Sequence, residues 1–91
     1  MTPERHSEMS RKVRETLLAV RGETVPHVAA ELAKVVDREY AVAEAVSAAN
    51  HWKETFLNLD IPAEVKNEEL DGCRLRHAVW AKVVEFKTPK F

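Results

Sequence analysis

The chain predicts an α-rich α+β domain, three helices followed by a small β-hairpin, with an all-α bundle as the alternative arrangement. Two observations carry this expectation. Through residue 52, apolar residues recur at steps of three and four, the period of a helix with one buried face. After Trp52 the pattern turns to alternation, and an Asp71-Gly72 dipeptide follows that readily takes the positive φ angles of a tight hairpin turn.

Thr2 followed by Pro3 opens the first helix, because threonine can cap free amides and proline is pre-set for a first helical turn. Met9, Val13, Leu17 and Val20 form its stripe and Gly22 stops it, which predicts a helix over about 3–21. Thr24 and Pro26 start a second helix whose apolar side is Val28, Ala29, Leu32, Val35 and Val36. Asp37 caps a third, with Val42, Val46 and Ala49 on one face from about 38 to 52. No glycine or proline enforces the break at Asp37-Arg38, so one continuous helix over 25–57 is the competing reading.

Leu57, Leu59 and Ile61 alternate with Asn58 and Asp60, which predicts a short half-buried strand ended by Pro62. Strands flanking Asp71-Gly72 would bring Glu69 opposite Arg74. Residues 73–86 are rich in β-branched and aromatic side chains and are read as strand. Leu75, Val79, Val83 and Phe86 also fit a helical stripe, so periodicity leaves this segment open. Residues 87–91 are expected to fray.

Ninety-one residues hold one domain and one core, here expected over 1–91. With 45% apolar and 32% charged residues and only two glycines, the chain is in the globular range. A domain this small gains from a self-associating face, so a homodimer is an expectation. Helix one, with Met9 and Leu18 at its margins, is a candidate seam, although core packing explains the same residues. The single cysteine, Cys73, excludes an intrachain disulfide and suits a reducing compartment, so the cytoplasm is expected. No secretion signal or membrane-spanning stretch is recognisable.

The near-neutral total hides three charge blocks: +2 over residues 1–22, −7 over 23–72 and +4 over 73–91. Such sorting bears on what a surface attracts, not on catalysis. No Gly-rich loop, nucleophile elbow or paired-carboxylate pattern accompanies it, and a Cys73-His77 pair lacks an orienting third group. Cys73 and His77, with His27, His51 and His6, also lack the paired spacing of a metal site. The expectation is therefore a non-enzyme with no catalytic residue, metal or cofactor.

The run Val28-Ala29-Ala30-Glu31-Leu32-Ala33-Lys34, followed by Val36, Asp37 and a helix with Val42 and Val46 buried, resembles the second and third helices of winged helix-turn-helix DNA-binding domains. The likeness covers roughly residues 10–86. It implies that residues 38–52 enter a major groove, and that Arg74 and Arg76 beside the turn contact phosphate from the wing. On that reading Arg38, Asn50 and His51 insert into the groove, and Arg11, Arg14, Arg74 and Arg76 anchor phosphate. Leu17, Leu32, Val36, Val46, Trp80 and Phe86 are assigned to the core. Two departures stand out: Asp37 and Arg38 occupy the turn where glycine is common, and Glu39 and Glu44 share the recognition helix, where each opposes phosphate. The function expected first is a small regulator that binds duplex DNA without catalysis. The competing class is a protein-interaction module or small inhibitor that docks another protein through a helix face or the acidic run Asp60, Glu64, Glu68, Glu69 and Asp71.

Overall fold

A computed structural model describes residues 2–89, and every regular element among them is a helix. α1 spans Pro3–Ala19, α2 Val25–Ala33, α3 Arg38–Leu57 and α4 Ala63–Lys87. The expected hairpin is therefore replaced by the longest helix of the protein, and the all-helical alternative is the architecture found.

The starts of the first three helices follow the local chemistry of the sequence. Thr2 caps α1 by accepting a hydrogen bond from the Arg5 amide at 3.2 Å, and Pro3 occupies the first turn. α1 stops at Ala19, and Gly22 takes the left-handed conformation at φ 86° that reverses the chain. Thr24 stands at the N-cap of α2 without a side-chain hydrogen bond. At the other end of α2, Lys34 donates to Glu31 Oε1 at 2.9 Å, and this bonded ammonium holds Glu31 below the usual carboxylate range. Because the folded pKa is depressed, whatever the pair contributes is present at neutral pH and is lost as pH falls through that lowered value.

The chain breaks between α2 and α3, so the continuous helix over 25–57 does not form. The reason is Asp37. Its backbone is extended at φ −93°, ψ 173°, and its Oδ1 accepts from the Tyr40 amide at 2.8 Å, while Oδ2 sits 3.3 Å from the Arg5 guanidinium. An aspartate that caps the next helix and pairs with a previous one starts a new element without glycine or proline.

Two further expectations are corrected here. α3 continues past Trp52 to Leu57, so the strand over 57–61 is absent; residues 58–62 connect two helices, and the Asp60 amide donates to Asn58 Oδ1 at 2.9 Å. Leu59 is 91% exposed, so its alternation with polar neighbours marks a loop. Asp71-Gly72 lies inside α4, where Glu69 and Arg74 face no partner strand; Arg74 instead approaches Asp71 at 3.8 Å on the same helix. The physical reason is burial. Cys73, Trp80 and Val83 fall on one helical face at steps of seven and three and are all buried against α2 and α3. Burying three such side chains is worth several kcal/mol at ~1.5–3 each, against about 1 kcal/mol for an interior glycine. An isolated hairpin buries far less. Of the expected frayed tail, Lys87 is the last residue of α4 and Thr88 its cap, whereas Lys90 and Phe91 lie outside the described residues.

α4 is the pillar, packed along α3 and, through its second half, on α2; α1 rests more lightly on α2. Met9, Val13, Leu32, Val36, Tyr40, Trp80 and Val83 close the core between them. Of the six residues assigned to the core, Leu32, Val36 and Trp80 are buried, but Leu17, Val46 and Phe86 remain 42%, 54% and 48% exposed. Val46 lies on the side of α3 away from buried Ala41, Ala48 and Thr55, and Phe86 sits on α4 with the Lys82 ammonium 5.4 Å from its ring centre. In the proposed seam on helix one, Met9 is buried and Leu18 is 73% exposed.

Two stability measurements check this fold. Asp37→Ala should cost about 0.5–2 kcal/mol in urea unfolding, with Asp37→Asn recovering most of it because the amide oxygen still caps Tyr40. Gly72→Ala should raise stability by about 0.5–1 kcal/mol, since a Cβ there meets nothing within 4 Å and helix favours alanine. Measured at submicromolar concentration, where the single chain is followed, a destabilising Gly72→Ala would be the behaviour of a turn glycine and would contradict the continuous α4.

Candidate docking cleft

An apolar cleft of about 440 Å³ opens where α1 and α4 fail to meet. Its walls are the last turns of α1 (Val13, Leu17, Val20), the turn through Gly22, and the start of α2 (Val25, Val28). Its floor is the middle of α4 (Gly72, Leu75, Val79, Trp80). Arg21, Glu23, Glu44 and Arg76 are the charged residues around it. Arg76 reaches Glu44 at 3.4 Å and the Ser47 hydroxyl at 3.5 Å, so one end of the cleft is closed by an ion pair between α4 and α3.

The cleft follows from how α1 is held. Tyr40, at the start of α3, is 5% exposed; its hydroxyl is 3.0 Å from Ser10 Oγ, and its ring centre is 5.3 Å from that of His6. With the Arg5–Asp37 pair, these contacts fix the first half of α1 against α3. The second half leans on α2, and no element covers Leu17 or Leu75, which are 42% and 57% exposed. Apolar side chains that line a concavity and stay half in water mark a surface suited to a partner, whereas scattered ones do not.

The residues proposed for DNA contact are dispersed. Arg11 and Arg14 lie exposed on α1. Arg38 begins α3 and donates through Nε to the Thr88 hydroxyl at 3.3 Å, at the far end of α3 from Asn50 and His51. Arg74 is exposed beside Asp71, and Arg76 is spent on Glu44. The fold does bring Arg76, Asn50 and His51 to one shallow depression, but Glu54 shares it, and Glu68 and Glu69 border the neighbouring surface with His51 and Cys73. Carboxylates there outnumber the single guanidinium, so the surface offers phosphate little net attraction.

Cys73 is buried with Sγ 3.8 Å from the Thr55 hydroxyl, and His77 packs its ring 5.7 Å from that of Trp52. Among the described residues, no three His, Cys, Asp or Glu side chains converge as metal ligands would, and no helix is long and apolar enough to cross a membrane. The sequence expectation of Leu17 in the core, and of Leu75 in a strand or stripe, does not bring the two together; the helical spacing of Leu75 and Val79 is the signal for the cleft floor. Comparison with protein-family models, curated proteins and solved structures finds no match for the chain.

If the cleft is a surface and not unfinished core, its half-exposed leucines should be dispensable for folding. Leu17→Ser and Leu75→Ser should each change unfolding free energy by no more than about 1 kcal/mol, against a loss of about 2–5 kcal/mol for Leu32→Ala at a fully buried position. Thermal and urea melts of the three variants check this.

Proposed function

We propose that this chain is a non-catalytic protein-interaction module that receives an amphipathic helix of a protein partner in the cleft between α1 and α4. The observation that carries the reading is the cleft itself. It is concave and apolar, its walls come from separate helices, and half-exposed leucines stand on opposite sides of it. Helix-in-groove recognition needs an apolar trough that takes anchors spaced three and four residues apart, with charged groups at the rim to fix direction. Arg21 and Glu23 on one side, and the Arg76–Glu44 pair on another, supply such a rim.

Duplex binding is the weaker reading of the same molecule. Without a hairpin there is no wing to place Arg74 and Arg76 on a phosphate backbone, and Arg76 already has a carboxylate partner. The third helix carries Glu39, Glu44 and Glu54 against Arg38 and Lys53. Affinity for nucleic acid rises with each phosphate neutralised, and this helix neutralises few.

The cleft is tested with the apolar dye anilinonaphthalene sulfonate at submicromolar protein concentration. Saturable fluorescence enhancement is expected, with energy transfer from Trp80 on the cleft floor. Leu17→Glu and Leu75→Glu should reduce both signals while leaving the helical circular dichroism intact. Dye binding untouched by either substitution would overturn the assignment. Anisotropy of a labelled random duplex at low salt should show no saturable binding, and a steep salt-dependent association would restore the DNA reading in its place.

A further inference from the structure

α4 is electrically divided. Residues 63–72 carry Glu64, Glu68, Glu69 and Asp71 against Lys66, whereas residues 73–87 carry Arg74, Arg76, Lys82 and Lys87 against Glu85. A helix dipole favours acids at the start and bases at the end, but that preference fades within one turn. It accounts for Glu64 and Lys87 but not for Glu68; Asp71 pairs with Arg74 and Lys82 with Glu85 along the helix, contacts that do not require acids and bases to be sorted into separate halves. Two such helices laid antiparallel put each acidic half against a basic half.

The same helix has a seam. Positions 68, 72, 75, 79, 82 and 86 recur at alternating steps of four and three, the spacing by which one helix faces another along its length. The middle three, Gly72, Leu75 and Val79, line the cleft. Gly72 costs the helix about 1 kcal/mol relative to alanine, and the single copy supplies no crowding to justify it, since a Cβ there meets nothing within 4 Å. A second helix packed along this face, crossing within one turn of Gly72, would approach the backbone closely and give the missing side chain a reason.

We propose that the occupant of the cleft is a second copy of this chain, docked with its α4 antiparallel to the first about a two-fold axis near Leu75. The inference rests on the preceding reading that the cleft receives a helix, and it names that helix. An isologous contact of this kind uses one surface twice, so self-complementarity is required, and the charge division of α4 provides it. Leu75 of each copy enters the cleft of the other. Glu68 and Lys82 lie seven residues to either side of Leu75 and meet across the axis. Within one copy Lys82 bonds Glu85 at 3.3 Å yet keeps its side chain 35% exposed, within reach of a further carboxylate.

Sedimentation equilibrium of the full chain tests the proposal. The native protein should dimerise, and the dimer should weaken as salt screens the paired halves. Leu75→Glu should be monomeric with unchanged helical circular dichroism. Glu68→Lys and Lys82→Glu should each weaken the dimer roughly tenfold, and the doubly reversed variant should regain most of that loss, as expected for a directly coupled pair. A native chain that stays monomeric at the highest attainable concentration overturns the proposal; if dye binding is still Leu75-dependent, the cleft reading stands and only its occupant is wrong. A dimer indifferent to Leu75→Glu, or a double reversal that restores nothing, also overturns the antiparallel α4 pairing.

Discussion

Tyr40 is where three of the four helices meet, and the shape of the molecule depends on how that side chain is satisfied. It lies in α3, its ring centre is 5.9 Å from that of Trp80 on α4, and its hydroxyl is 3.0 Å from Ser10 on α1. A buried phenol gives the core a large apolar area but must find a partner for its polar tip, because leaving it unpaired costs about 1–3 kcal/mol. Ser10 is that partner, so a hydrogen-bonding requirement in the core decides where α1 is attached. The Asp37 carboxylate, one turn before Tyr40, reinforces the attachment by capping α3 and drawing in Arg5.

Everything about the cleft follows from this one-sided attachment. The first half of α1 is tied to the start of α3, its second half rests on α2, and Leu75 in the middle of α4 is left half-exposed. Trp80 and Val83 below are buried in the core, so the cleft has a firm floor, while Leu17 and Leu75 at its edges contribute little to that core. The residues that fill the core and those that stand half-exposed at the cleft are thus different residues of the same two helices. Elsewhere several cations are held by carboxylates, Lys12 by Glu8 and Lys34 by Glu31 within one helix and Arg76 by Glu44 between α4 and α3. Exposed pairs of this kind add little to stability, about 0–1 kcal/mol each, but they keep those cations from acting together as one basic surface.

Much of the helical half was legible in the residues. Thr2-Pro3, Gly22, Thr24 and Asp37 mark helix boundaries through interactions that reach only three or four residues along the chain, and the structure places all of them at or next to the expected ends. Leu32 and Val36 were legible as core for a related reason, since both lie in a stripe whose period is local, whereas Trp80 is assigned to the core on its size and apolar character while its segment reads as strand. Residues 57–86 were not legible in the same way. Leu57 ends α3 while Leu59 and Ile61 lie in the connection to α4, Leu59 almost wholly exposed, and alternation alone does not distinguish this from a half-buried strand. Of the candidate site, the residue types that line the cleft were visible but their convergence was not, because Leu17 and Leu75 are far apart in sequence and come together only through the attachment of α1.

What the sequence by itself determined is the starts of α1, α2 and α3, the stop of α1 before Gly22 and the charge sorting along the chain, since caps, glycine conformation and side-chain charge act over a few residues. The tertiary structure decided the conformation of Asp71-Gly72 and the fate of each apolar stripe. A dipeptide that prefers a turn in isolation is overruled when Cys73, Trp80 and Val83 can be buried on one continuous helix face, because that burial outweighs a glycine penalty of about 1 kcal/mol. Whether Leu17 and Leu75 are buried or stay half-exposed was likewise settled only by where Tyr40 holds α1, a long-range contact that local periodicity does not encode.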